Sequence, residues 1–347
     1  MTDLIPRASG LKRMKLLVIR FSSIGDIVLT TPVLRCLKKK FPDAELHFLT
    51  KSAFRSLIGE NPHVDKFHYY AGDLGAVIRD LRAEEFDAII DLHKNIRSLI
   101  VRFRLGMKAL SYDKQTFRKI LLTHLHIDRM KPRHVAEMYL EAVRPLGVED
   151  DGEGLEHFMP QGIALPDGLI PSAIQKRYIA LCIGASYATK KLPAERLAEL
   201  CGSLHDPVVL VGGREDEAAG EIIAAAHPGR VINACGKCNL HQSAIIVREA
   251  ALVISHDTGM QHIACAFRKP VLALWGGTSP QLRFGPYYGQ AHPKMHMDFQ
   301  APGLKCRPCS AVGKKKCPKG HFDCMMKLDL SAVAVAANGI IAPVKGS

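Results

Sequence analysis

The longest uncharged apolar runs of this 347-residue chain, such as Ala332 to Val344, fall short of the roughly 18–20 residues that a membrane span needs, so no spanning helix is expected. The opening stretch "MTDLIPRASGLKRMK" lacks the continuous apolar segment and small-residue cleavage site of a secretion signal. It reads as a frayed basic extension, and a cytoplasmic protein is expected. No G-x-G-x-x-G follows an apolar run and no G-x-x-x-x-G-K-[ST] occurs, which disfavours dinucleotide-dependent dehydrogenases and P-loop ATPases. Aromatic residues are only 6%, and neither basic stretch carries the stacking aromatics of a single-strand nucleic-acid binder. Six of the ten cysteines are scattered through ordinary segments, which in a reducing compartment argues against a disulfide framework.

What is present fits a soluble globular protein: 47% hydrophobic and 23% charged residues, over a length that predicts two domains. Apolar runs at Lys15 to Arg20, Glu45 to Thr50, Ala88 to Leu92, Tyr178 to Ile183, Val208 to Val211, Leu252 to Ile254 and Val271 to Leu274 alternate with helix-like segments. That alternation predicts an α/β chain of two doubly wound parallel sheets. The Gly-, Pro- and acid-rich stretch "EDDGEGLEHFMPQGIALPDGLIPSAIQK" holds the expected junction, with domains over 1–165 and 175–330 and a last helix within 331–347 that could pack on either. The net charge of +13 is concentrated, with a local +9 between Lys94 and Arg133 and +6 between Lys305 and Lys327. Such concentration points to an anionic partner, although a solvated basic face is as good a reading of either stretch alone.

In doubly wound sheets functional groups collect at the carboxyl ends of the strands, so the strand-to-helix turns are the places to search. "SHDTGMQH" sets Asp257, Thr258 and Gly259 between a strand and a helix, where free backbone N–H groups and the helix dipole suit a phosphate; simple capping by Asp257 or Thr258 is the competing reading. "GASYATKK" adds Ser186, Thr189, Lys190 and Lys191 in a turn that would suit a diphosphate. "FSSIGDIVLTTP" places Asp26 before an apolar helical run, and locally a helix cap is the favoured reading.

Taken together, "RFSSIGDIVLTTPVLRCLKKKFPDAELHFLT", "GASYATKKLP", "VGGRED" and "SHDTGMQHIACAFRKPVLALWGGTSPQLRFGP" resemble glycosyltransferase family 9, the heptosyltransferases of lipopolysaccharide core synthesis, from about Met14 to the final helix. The resemblance implies a GT-B architecture of two Rossmann-like domains facing a central cleft, the first binding acceptor and the second nucleotide-sugar. It implies inverting transfer without a metal ion or other cofactor, and the sequence has no D-x-D triplet to hold a divalent metal on a diphosphate. By the same resemblance Asp26 is the catalytic base. Lys190, in "KKLP" where the family often has K-x-W-P, binds phosphate, with Lys191 as its competitor. Asp257 contacts the donor sugar, Thr258, Gly259 and His262 surround the diphosphate, and Glu215 binds the ribose. His262 reads equally well as a core histidine. On the acceptor side stand Ser22, Ser23, Gly25, Lys94, Asn95, Arg97 and Ser98. The implied partners are a nucleotide-sugar, with ADP-heptose as the family-level expectation, and an anionic glycolipid acceptor met during transient peripheral contact with the inner face of the cytoplasmic membrane. No nucleic acid is expected.

Cys306, Cys309, Cys317 and Cys324 read C-x2-C-x7-C-x6-C. The first pair has zinc-ligand spacing and the second is too wide for a usual knuckle, so a structural zinc and a loop of reduced thiols both stand. Two rival functions remain at this point: a basic nucleic-acid-binding protein, and a sugar-nucleotide epimerase that would turn over donor without acceptor.

Overall fold

The computed structural model describes residues 13–175 and 177–341, so most of the expected basic extension, and the tail beyond Ile341, lie outside the described residues. The chain forms two compact units. One takes the chain up to Lys114 with Arg133–Pro160 and Tyr287–Pro293; the other takes Gln115–Pro132, Gln161–Pro286 and the chain from Lys294.

The first unit is built on β1 (Lys15–Ile19), β2 (Glu45–Lys51), β3 (Lys66–Tyr70), β4 (Ala88–Asp91) and β5 (Ala109–Ser111), all parallel, in the order β3-β2-β1-β4-β5. The inner strands are covered by helices on both faces, which is why β1 and β4 read as unbroken apolar runs rather than alternating ones. Leu17, Ile19, Ile89 and Val101 belong to one of its cores. The buried fork of Arg35 grips Asp151 with two bonds of 2.8 Å and reaches Glu156 at 3.0 Å, fastening the segment after the helix Val135–Val143 onto the helix Thr31–Lys40.

The second unit repeats the topology with β6 (Ile179–Cys182), β7 (Val208–Val211), β8 (Val231–Asn233), β9 (Leu252–His256), β10 (Val271–Trp275) and β11 (His296–Gln300), parallel in the order β11-β10-β9-β6-β7-β8. The final helix, Leu330–Ile341, joins this unit. Leu330, Val333, Ala334 and Ala337 enter its core, and the Asn338 amide donates to the Ser203 carbonyl and accepts from the His205 N–H. Among the described residues no helix is long and apolar enough to cross a membrane.

Both sheets reverse direction beside their first strand, between β1 and β4 and between β6 and β9. These are the topological switch points, and they set side by side the turns that follow Ile19 and Asp91 in one unit and those after Cys182 and Ser255 in the other.

Burial also leaves several histidines neutral. His47 and His68 share a 2.9 Å hydrogen bond across β2 and β3, and desolvation lowers both, His68 to about 4; His256 is likewise pushed down to about 4 by burial. A histidine whose folded pKa lies below its unfolded value near 6.5 contributes stability that is full above that pH and is lost as pH falls toward 4. Urea denaturation is expected to show stability falling by about 2 kcal/mol for each of His68 and His256 between pH 6.5 and 5. In His68→Phe that slope is expected to become shallower; an unchanged slope would show that His68 is already charged in the folded protein.

Candidate active site

At the first switch point β1 runs out at Ile19, and Arg20 and Phe21 carry the chain into the short helix Ile24–Val28. Asp26 does two things there. Its Oδ2 accepts from the Ser23 N–H at 3.1 Å and the Ser23 hydroxyl at 2.7 Å, which is the acid half of a capping box, and its Oδ1 lies 2.6 Å from Nη2 of Arg20. Burial opposes its charge, but the Arg20 guanidinium and the Ser23 donors outweigh that and hold the carboxyl below the ordinary carboxylate range. Arg20 is itself buried and multiply held, donating to the carbonyls of Ser22 and Leu92 and, at 2.8 Å, to the Tyr139 hydroxyl.

Beside it, the β4 turn is organised by buried Asp91, whose Oδ1 accepts from the His93 and Lys94 amides while Oδ2 faces Arg102 at 3.3 Å. Lys94 takes a left-handed φ of 50° and its ammonium donates to the Tyr112 carbonyl. Asn95 and Ser98 form a reciprocal capping box on the helix Ile96–Leu105. Ser98 is fully buried, so its expected place among acceptor contacts is corrected to that of a residue that positions Asn95. Arg97 stays exposed, over the Tyr70 ring. Lys114 donates to the carbonyls of His93 and Lys94, and burial, then the nearby Arg20, lowers its pKa. Burial, with Arg20 and Lys114, also takes His93 down to about 4.

In the second unit the turn after β6 ends in the short 3-10 segment Ala188–Lys190. Lys190 reaches the β9 turn, with Nζ 2.8 Å from Asp257 Oδ2 and 3.2 Å from the Asp257 carbonyl; Thr278 donates to the same Oδ2 at 2.8 Å. Thr258 is the N-cap residue of the helix Gly259–Ala266, yet its side chain makes no capping bond. Asp257 is directed to Lys190 and Thr278 rather than to the helix, so the leading amides of the helix have no side-chain cap from Asp257 or Thr258. Lys191 pairs instead with buried Asp216, which also accepts from the Gly213 N–H, so Lys191 and Asp216 tie the β6 and β7 turns together. Glu215 and Ser186 are exposed, whereas His262 is buried on its helix.

Thr189 is buried and its polar groups serve the fold: the hydroxyl accepts from the Lys314 N–H, and the carbonyl accepts from the Gly277 N–H. It is therefore corrected from a donor contact to the residue that seats Lys190. The loop it meets carries the late cysteines. Arg307, between Cys306 and Cys309, donates to the carbonyls of Trp275, Gly276, Thr278 and Ala301, and the Cys309 N–H bonds the Gly277 carbonyl. None of the ten cysteines is in a disulfide, and burial raises the Cys324 thiol to about 11. Among the described residues, His47–His68–Glu84 and Cys36–Asp150–Asp151 are the groups whose ligand atoms come within 4.8 Å of one another; the late thiols are spread more widely. The two acids of interest there, Glu84 and Asp151, are already paired with lysine or arginine.

A sequence profile of glycosyltransferase family 9 (heptosyltransferase) matches residues 74–306, more than half of the chain. The chain belongs to glycosyltransferase family 9. It is 28% identical over 302 residues to lipooligosaccharide heptosyltransferase 2 of Haemophilus influenzae, covering 77% of this chain and 85% of that one. By fold it is similar to the crystal structure of a family 9 glycosyltransferase from Veillonella parvula, with a TM-score of 0.71, 21% identity, and 96% and 99% of the two chains covered. It is also similar to ADP-heptose LPS heptosyltransferase II of Escherichia coli, with a TM-score of 0.65, 20% identity, and 94% and 98% covered. The family 9 chain is thus a glycosyltransferase of the heptosyltransferase type with a GT-B fold.

Sequence reasoning overlooked Arg20, His93, Lys114, Thr278 and Arg307 as parts of these turns. Arg20 was the findable one, since an arginine that continues a buried strand into the turn of an acid has that acid as its natural counter-charge. Replacing it with methionine leaves Asp26 without its counter-charge and should destabilise the first unit by about 3 kcal/mol. An NMR titration of Asp26 is expected to give a lower midpoint in the wild type than in Arg20→Met; equal midpoints would show that Arg20 does not set the carboxyl's charge.

Proposed function

We propose that this family 9 glycosyltransferase moves a heptose from an ADP-linked donor to a hydroxyl of an anionic lipopolysaccharide-core glycolipid, with inversion and without a metal ion. The observation that carries the donor half is the meeting of Lys190 with the uncapped helix Gly259–Ala266 at the β6/β9 switch point. A diphosphate there gains a point charge and oriented amides, which supply what a metal would otherwise supply to the leaving group. Lys190 rather than Lys191 is assigned that contact, because Lys191 is committed to Asp216. Glu215 is assigned the ribose for the parallel reason that Asp216 serves the fold and Glu215 is exposed. Asp257 faces the sugar hydroxyls, and Thr258, Gly259 and His262 shape the helix end beneath the diphosphate.

The first unit takes the acceptor, with Asp26 as base. As the acceptor oxygen bonds the anomeric carbon and the bond from that carbon to the diphosphate oxygen breaks, the hydroxyl becomes strongly acidic, so a carboxylate of low pKa is base enough to receive its proton. Arg20 keeps Asp26 ionised beforehand and loses its ion-pair partner once the proton arrives, which favours handing it on to water. Lys94, Asn95, Arg97 and Lys114 surround the β4 turn with positive charge and amide groups suited to acceptor phosphates or carboxylates. Ser22, Ser23 and Gly25 form the turn that carries Asp26. The acceptor, as a glycolipid, would be met at the inner face of the cytoplasmic membrane.

Calorimetry with ADP, UDP and GDP should show ADP binding that magnesium does not alter and that Lys190→Ala weakens roughly ten- to hundredfold, the range for a charge-assisted bond. Asp26→Asn should keep that affinity while transfer falls by about 10²–10⁴. Magnesium-dependent binding, or full transfer by Asp26→Asn, would overturn the respective half of the mechanism.

A further inference from the structure

The helix Ile96–Leu105 has two apolar faces. Val101 points into the core of the first unit, whereas Ile96, Leu99, Ile100 and Phe103 are 68%, 51%, 38% and 81% exposed. Their spacing, i, i+3, i+4 and i+7, puts them on one stripe of the helix. Eight of the fourteen large apolar side chains exposed among the described residues fall between Ile96 and Ile127. A stripe of that kind on a protein surface calls for a partner.

The charge around it says which. From His93 to Tyr112 there are five lysines and arginines and no acid. Arg102 is paired with Asp91, but Arg97, Arg104 and Lys108 are exposed, and exposed Arg82 adds its guanidinium at the end of the helix by donating to the Arg104 carbonyl. A second copy of the chain would bring like charges together at the same stripe. An anionic lipid surface complements both features at once, with acyl chains receiving the apolar side chains and headgroups receiving the cations. The segment Gln115–Pro132 of the other unit shows the same combination independently, with Phe117, Ile120, Leu125 and Ile127 exposed among Arg118, Lys119 and Arg129.

We infer that the exposed face of the helix Ile96–Leu105 is the surface by which this enzyme docks on an anionic bilayer, Phe103 and Leu99 entering the interface and the flanking cations holding the headgroups. The helix begins at Asn95, directly after Lys94, so docking brings the β4 turn of the proposed acceptor site to the headgroup layer. The inference rests on the reading of the acceptor as a membrane glycolipid, but its test is separable from it.

Sedimentation with vesicles of three parts phosphatidylcholine to one part phosphatidylglycerol, against pure phosphatidylcholine, is the experiment. The wild type is expected to partition onto the anionic vesicles only, and Leu99→Ser/Phe103→Ser to lose at least about tenfold of that partitioning. The chain has a single tryptophan, Trp275, which is buried. Phe103→Trp is therefore expected to keep binding and to add an emission component that shifts to the blue when anionic vesicles are added. Wild type that stays in solution, a double variant that binds as well as wild type, or an added emission component in Phe103→Trp that does not shift would each overturn the inference. So would a wild-type dimer in lipid-free solution that the double variant converts to monomer, since the stripe would then be a self-interface. Turnover on a delipidated, water-soluble acceptor should be equal in wild type and double variant. If vesicles bind but neither acceptor form is glycosylated, the functional reading fails and the docking surface stands.

Discussion

An acid buried at the carboxyl end of a parallel strand must be met by a cation or it will not stay charged, and this chain obeys that constraint at every turn of interest. Asp26 meets Arg20, Asp91 meets Arg102, Asp216 meets Lys191 and Asp257 meets Lys190. The pairs are not equivalent. In those of Asp91 and Asp216 the carboxylate is almost wholly buried and collects backbone amides, so these pairs hold turns in shape. The pairs of Asp26 and Asp257 lie at the two switch points, and neither partner's exposure is closed off completely. Under the proposed function, a diphosphate arriving at Lys190 would find a cation already held by Asp257, itself fixed by Thr278, so less side-chain freedom would be lost on binding.

Seven strands were legible in the sequence and four were not, and the four have one property in common. Lys66–Tyr70, Ala109–Ser111, Val231–Asn233 and His296–Gln300 are the outer strands of the two sheets. An outer strand has one neighbour, is short or partly wetted, and shows no continuous apolar run: β11 carries Asp298 and Gln300, and β3 opens on Lys66. The inner strands had to be apolar on both faces, and that requirement wrote the doubly wound class into the sequence. The segment Gln115–Pro132, which leaves the first unit and joins the second, has no such signature.

Much of the site could be placed by turn chemistry, because acids, glycines and hydroxyls after a strand have few other uses. What local sequence could not decide was the use to which each was put. Asp26 had to be judged a cap or a free carboxylate, and it makes capping bonds with one oxygen and an ion pair with the other. Lys190 and Lys191 are neighbours with opposite commitments. Ser98 and Thr189 look like ligand hydroxyls in a string of letters but sit inside, bonded to Asn95 and Lys314. The partners that settle these questions come from far along the chain, as Thr278 does for Asp257 and Tyr139 for Arg20, and no spacing rule brings them together.

Arg20 touches the ends of β1 and β4, the helix Val135–Val143 through Tyr139, and the turn that carries Asp26. Because Ile19 and Asp91 are register partners, a one-residue slip between the strands would take the Leu92 carbonyl out of reach of the guanidinium and strand a charge in the interior. The arginine thus works as a proofreader of assembly: it is at rest only when three separately made pieces of chain have arrived in the right order and alignment. Half-built versions of this unit are penalised at the same spot where the finished one displays its acid.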